Sequence, residues 1–133
     1  GTAQAEIASA NLQVSARVLP HARLQADESP VSITAADVQR GYLDVSRHYR
    51  LQTNAPDQVV LQLNPRVGLT DSIDIDGFQA PLRMTDSSLE IAQPFARDFT
   101  VSFRLWLSAA AMPGEYALPV QVAALLRDGT TSL

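Results

Sequence analysis

The chain has 133 residues, 46% hydrophobic and 18% charged, with a net charge of −4. That balance describes one folded domain, large enough to bury roughly two-thirds of its unfolded surface, and argues against wholesale disorder. All ten basic residues are arginines scattered singly, so no cluster offers a footprint for nucleic-acid phosphates. With no cysteine, disulfides, thiolate metal sites and a cysteine nucleophile are excluded, and no apolar run reaches the roughly 20 residues that span a bilayer.

Residues 1–10 hold a single bulky apolar side chain, Ile7, and are expected to form a flexible N-terminal segment. Within them Ala3-Gln-Ala5 has the small-x-small form that precedes signal-peptide cleavage, a form that an alanine-rich segment also produces by chance. Asn11 to Leu19 alternates Leu12, Val14, Ala16 and Val18 against polar residues, which predicts a strand stopped by Pro20. Because the remaining strands are numerous enough to close a fold, Leu12 to Val18 is expected to pack within its own chain. His21 to Pro30 reads as a polar loop, Val31 to Thr34 as a short strand, and Thr34 to Asp37 as at most a helical turn that Gly41 ends.

Tyr42 to Thr53 predicts a long strand with Leu43, Val45, Tyr49 and Leu51 facing inward. Arg47 shares that face, an anomaly that a bulge near Ser46-Arg47 or a protruding strand end would relieve. Further strands follow at Gln58 to Asn64, Ser72 to Phe78, Ala80 to Met84 and Ser88 to Ile91. Two long alternating runs close the chain. The first buries Val101, Phe103, Leu105 and Leu107; the second, beyond the connection Ser108 to Gly114, buries Tyr116, Leu118, Val120, Val122, Ala124 and Leu126. Pro119 lies inside the second run and cannot donate a ladder hydrogen bond, so that strand is expected at an edge or bulged. About seven to nine strands without an amphipathic helix predict an all-β, antiparallel β-sandwich in a single domain over 1–133.

Candidate chemistry is sparse. Asp74, Asp76 and Gly77 imitate the start of a helix–loop–helix calcium loop, but Arg83 stands where its bidentate Glu is required. A looser calcium site from Asp71, Asp74 and Asp76 stays open beside the simpler reading of a wet strand face. Asp44, Ser46 and His48 share one strand face, yet neighbours at i and i+2 lie about 6.5–7 Å apart, too far for a direct Ser–His hydrogen bond. No nucleophile elbow, metal spacing or phosphate-binding glycine loop accompanies them, so no catalytic residue, metal or cofactor is assigned. Trp106 is expected to point outward with Arg104, Thr100 and Ser102 beside it, a face that could stack on a sugar or anchor a protein. Cover by the N-terminal segment or by a loop is the competing reading.

The C-terminal third carries a resemblance. Phe103-Arg-Leu-Trp-Leu-Ser108, Met112-Pro-Gly-Glu-Tyr116 and Leu118-Pro-Val-Gln-Val122 resemble the closing strands of bacterial fimbrial subunits and spore coat protein U-like domains, where a Pro-Gly-x-Tyr turn leads into the last strand. Leu12 to Val18 and the strand ending Gln52-Thr-Asn-Ala-Pro56 are similar in style, whereas the cysteine pair that many such domains carry is missing. The resemblance implies an immunoglobulin-like sandwich exported to the periplasm or surface of a Gram-negative bacterium. It also implies a non-catalytic structural or adhesive role, with fimbrial subunits or a periplasmic chaperone as partners and strand donation as a means of assembly. The alternative expectation is a carbohydrate-binding module using Trp106.

Overall fold

The computed structural model describes residues 18–127. The flexible segment expected over 1–10 and the strand expected from Asn11, with its packing, lie outside these residues except for Val18 and Leu19. Those two are exposed and irregular.

Among the described residues ten antiparallel strands form a sandwich of unequal sheets. In chain order they are β1 (Ala22–Ala26), β2 (Val31–Ile33), β3 (Tyr42–Thr53), β4 (Val59–Pro65), β5 (Thr70–Asp76), β6 (Leu82–Met84), β7 (Leu89–Ile91), β8 (Asp98–Leu107), β9 (Gly114–Tyr116) and β10 (Val120–Leu126). The larger sheet has the order β1-β3-β8-β5-β6, the smaller β10-β4-β7, and β2 pairs with β9 in a separate ribbon. Period-two alternation places one face of each sheet inward. Tyr49, Ile73, Ile75, Met84, Val101, Phe103 and Leu105 of the large sheet share one core with Leu61, Leu63, Ile91 and Val120 of the small one, and β2 adds Val31 and Ile33. As expected, Phe103 and Val120 are both core residues, 1% and 3% exposed, on opposite sheets.

Several expectations need correction. The loop expected at His21 to Pro30 contains β1, which pairs Ala22 to Ala26 with Thr53 to Tyr49. Its only bulky apolar residue is Leu24, so its alternation is faint, and the neighbouring strand decides its conformation. The turn expected at Thr34 is a six-residue helix, α1 (Ala35–Arg40). Thr34 Oγ1 accepts from the Asp37 N–H at 3.1 Å while Asp37 Oδ2 accepts from the Thr34 N–H at 2.9 Å. This capping box satisfies two otherwise orphan donors, and Gly41 at φ 93° closes the helix by donating to the Asp37 carbonyl.

The two closing runs do not form one hairpin. After β8 the chain leaves the large sheet, pairs Gly114–Tyr116 with β2, breaks at Leu118-Pro119, and enters the small sheet as β10. Pro119 therefore precedes the strand instead of interrupting it, and its carbonyl accepts from the Arg66 N–H at 2.8 Å. Among the described residues β10 stands at the edge of its sheet, as expected, although Pro119 lies before it.

Arg47 needs no bulge, because β3 runs in unbroken register with β8 past it. Its side chain is 10% exposed on the inner face, covered by the loop after β1. NH2 donates to the Ser29 carbonyl at 2.6 Å, NH1 lies 3.8 Å from Asp27 Oδ2, and Nε is buried without a partner. The cost of burying the cation is thus only partly offset. At the opposite end of β5, Gly77 holds φ 122°, and a Cβ there would lie 2.5 Å from the Thr100 carbonyl oxygen. The bend into β6 consequently requires glycine.

Two stability measurements check this packing. Phe103→Ala should destabilise the domain by about 3–5 kcal/mol in denaturant unfolding, and Thr100→Ala, on the opposite face of the same strand, by well under about 1 kcal/mol. Arg47→Met keeps the length of the side chain and removes the incompletely bonded charge, so its melting temperature should match or exceed that of the parent chain. A large drop would show that the guanidinium contacts outweigh desolvation.

Candidate functional site

The outer face of the large sheet gathers its polar side chains into rows that cross the strands. β3 and β8 pair Asp44 with Arg104, β8 and β5 pair Arg104 with Asp74, and β5 and β6 pair Asp74 with Arg83. Four residues distant in sequence therefore stand side by side with alternating charge. Arg104 Nε and NH2 donate to Asp44 Oδ1 and Oδ2 at 2.8 and 3.0 Å. Arg83 makes the same two-pronged contact with Asp74, at 2.7 and 3.2 Å. Such forks fix the planes of both groups as well as joining their charges.

The flanking rows follow from the same register. On one side are Tyr42, Trp106 and Ser72. Trp106 is half-buried: its indole N–H donates to Asp74 Oδ2 at 2.8 Å and its ring lies 5.2 Å from that of Tyr42. Arg104 Cζ sits 4.3 Å from the Tyr42 ring centre, and Arg40 of α1 approaches the same ring at 4.9 Å. The aromatic pair is thus held by hydrogen bonding and cation–π contacts among the described residues, and cover by the N-terminal segment lies outside them. On the other side are Ser46, Ser102 and Asp76, with the two hydroxyls 3.2 Å apart. A groove of about 740 Å³ opens over the ionic row and this hydroxyl row. It is lined by Asp44, Asp74, Asp76, Arg83, Ser102 and Arg104 and walled by Pro81 and Leu82.

The electrostatics are set by the forks. Hydrogen bonding from Arg104 holds the Asp44 carboxyl below its ordinary range. Arg83 first, and then the Trp106 indole, does so for Asp74. The carboxylates in return raise both guanidinium groups. One row pair further on, Asp98 is lowered by Arg50 and then by His48, which contact it at 3.1 and 3.2 Å.

The expected site residues divide accordingly. Arg104 and Ser102 line the groove, Trp106 stands in the adjoining row, and Thr100 is exposed opposite His48, outside the groove. Asp44, Ser46 and His48 share a face as expected, but each pairs across to β8, with Arg104, Ser102 and Asp98 respectively. Asp71, Asp74 and Asp76 do not assemble a cation site. Asp71 lies at the irregularity where β5 shifts register against β8, Asp74 is engaged by Arg83 and Trp106, and Asp76 Oδ1 accepts the Gly77 N–H. Among the described residues no three His, Cys, Asp or Glu side chains are grouped to hold a metal ion. Tyr42 and Arg83 were missed as site residues, although alternation in β3 already places Tyr42 on the face of Asp44. Arg83, the residue that spoils the calcium loop, is the partner of the aspartate that suggested it.

A second feature lies across the sandwich. Among the described residues β10 pairs only with β4, leaving its other edge open. Val122, Ala124 and Leu126 alternate on it and remain half-buried, with Leu24 of the neighbouring β1 also incompletely covered. A cleft of about 390 Å³ includes Arg47, Tyr49, Leu118, Val120 and Val122. No described helix is long and apolar enough to cross a membrane. Comparison of the chain with protein-family models, curated proteins and solved structures finds no match.

The ionic row predicts a pH signature. Asp44 and Asp74 have folded-state pKa values below their unfolded ones, so their stabilising effect is present above the unfolded value and is lost as pH falls through the folded one. Replacing both arginines, Arg83→Gln with Arg104→Gln, should lower stability near neutrality. The stability–pH curves of the two proteins should then converge on acidification below about pH 4. Parallel curves down to the acid limit would show that the forks do not carry this dependence.

Proposed function

We propose that this chain is a non-catalytic, exported structural or adhesive subunit of fimbrial type, which joins its partners by accepting an extended strand at the open edge of β10. The observation that carries this reading is the inequality of the two sheets. Among the described residues five strands face three, and β10, at one edge of the smaller sheet, carries the apolar inward side chains Val122, Ala124 and Leu126 only half-covered. An edge of that kind presents unpaired backbone groups and unfilled apolar positions together, the two requirements of strand addition. The sequence pattern around Pro113-Gly-Glu-Tyr116, which delivers the chain into β10, supports the same reading through its fimbrial resemblance. The pairwise use of Asp44, Ser46 and His48 across strands is consistent with a binding role over a hydrolytic one.

Fractionation of cells that express the full-length precursor tests export. Periplasmic or surface protein is expected, and a purely cytoplasmic distribution would overturn the proposal. The edge is tested by Ala124→Arg, which places a charge on an inward, half-buried position of β10. The variant domain should still fold, and its assembly with other subunits should fall at least about tenfold, equivalent to about 1.4 kcal/mol of lost interaction.

A further inference from the structure

We infer that the groove on the outer face of the large sheet binds a neutral saccharide, whose hydroxyls address the ionic and hydroxyl rows. The inference is independent of export and of strand addition, since it uses only β3, β5, β6 and β8.

Charge narrows the ligand class first. Asp44, Asp74 and Asp76 outnumber Arg83 and Arg104 by one, so the groove carries a net negative charge and disfavours phosphate, sulfate or carboxylate ligands. A cation fares little better, because Asp44 and Asp74 are each already neutralised by a two-pronged arginine. What the groove offers is a fixed alternation of acceptors and donors. An ionised carboxylate has about four acceptor positions, and Asp44 spends two of them on Arg104. Arg104 uses Nε and one amino group on Asp44, and its other amino group makes no hydrogen bond among the described residues. Ser46 and Ser102 can each donate or accept.

A sugar hydroxyl also donates and accepts, so neighbouring hydroxyls can bridge a carboxylate and a guanidinium without breaking an ion pair or stranding a charge. The forks hold these groups in place before the ligand arrives, which reduces the ordering cost of binding. The Tyr42–Trp106 row adjoins the ionic row and braces Arg104, whose Cζ lies 4.3 Å from the Tyr42 ring centre. Pro81 and Leu82 form an apolar wall, and about 740 Å³ lies within the range of small-molecule sites.

The test is binding of the purified chain to an array of neutral, sialylated and sulfated oligosaccharides, followed by calorimetry with the neutral oligosaccharide that gives the strongest signal. Neutral glycans should be retained and acidic ones rejected. Ser102→Phe, which fills the floor of the groove at an exposed strand position, should weaken binding at least about tenfold without loss of the folded state. Asp76→Ala, at an exposed end of β5, provides a second variant should the phenylalanine disturb folding, and it should weaken binding several-fold. Thr100→Ala, outside the groove, should bind like the parent chain. Failure to retain any neutral glycan, retention of acidic glycans alone, or unchanged affinity in the groove variants would each overturn the inference, while leaving the fractionation result unaffected.

Discussion

Everything in this domain hangs on the pairing of β3 with β8. These are the two longest strands, 12 and 10 residues, and they meet in unbroken register from Tyr42 opposite Trp106 to Arg50 opposite Asp98. Because side chains alternate across a sheet, this single register decides both faces at once. On the inner side it sets Val45 beside Phe103 and Leu43 beside Leu105; on the outer side it sets Asp44 against Arg104 and Tyr42 against Trp106. A slip of one residue would bury the charges and expose the core. The hydrophobic penalty that fixes the core therefore also aligns the ionic row, whose exposed ion pairs would be too weak to fix the register themselves.

This coupling explains what could be read from the sequence and what could not. Alternation is a local property, so the extent of β3, the inward set Val101, Phe103 and Leu105, and the shared outer face of Asp44, Ser46 and His48 were all legible. The partners of those residues were not. That Asp44 meets Arg104 and His48 meets Asp98 depends on register between strands 50 to 60 positions apart, which alternation leaves open. The same gap made Asp74 look like a calcium ligand when its neighbour across the sheet is Arg83. Where bulky apolar side chains are few, as in β1, even the strand was faint, and Ala22 to Ala26 became visible only through its pairing with β3. The helix at Thr34 was underestimated for another reason: its capping box compensates for a length at which helix propensity alone is insufficient.

Arg47 shows how the sandwich tolerates an exception. Its position on the inner face is imposed by the phase of β3, which Val45 and Tyr49 fix on either side. The chain responds by folding the segment after β1 over it, so that the Ser29 carbonyl and Asp27 meet the guanidinium near the margin of the core. That margin is also where β1 and β10 approach each other and the small sheet ends.

The open edge and the groove are consequently separate in cause as well as in place. The edge is left where the chain, after β8 and β9, enters the small sheet as β10 beyond Pro119 and, among the described residues, pairs there only with β4. The groove arises from cross-strand register in the middle of the opposite sheet and is bounded by the β5–β6 hairpin, whose bend Gly77 permits. A strand added beside β10 would extend the small sheet and cover Val122, Ala124 and Leu126 without entering the space above Asp44, Ser102 and Arg104. The central strands that hold the ionic row would keep their neighbours throughout. An assembly built through the edge would therefore present the same polar face at every subunit, and many weak contacts on repeated faces can act together to give avidity that a single groove does not supply.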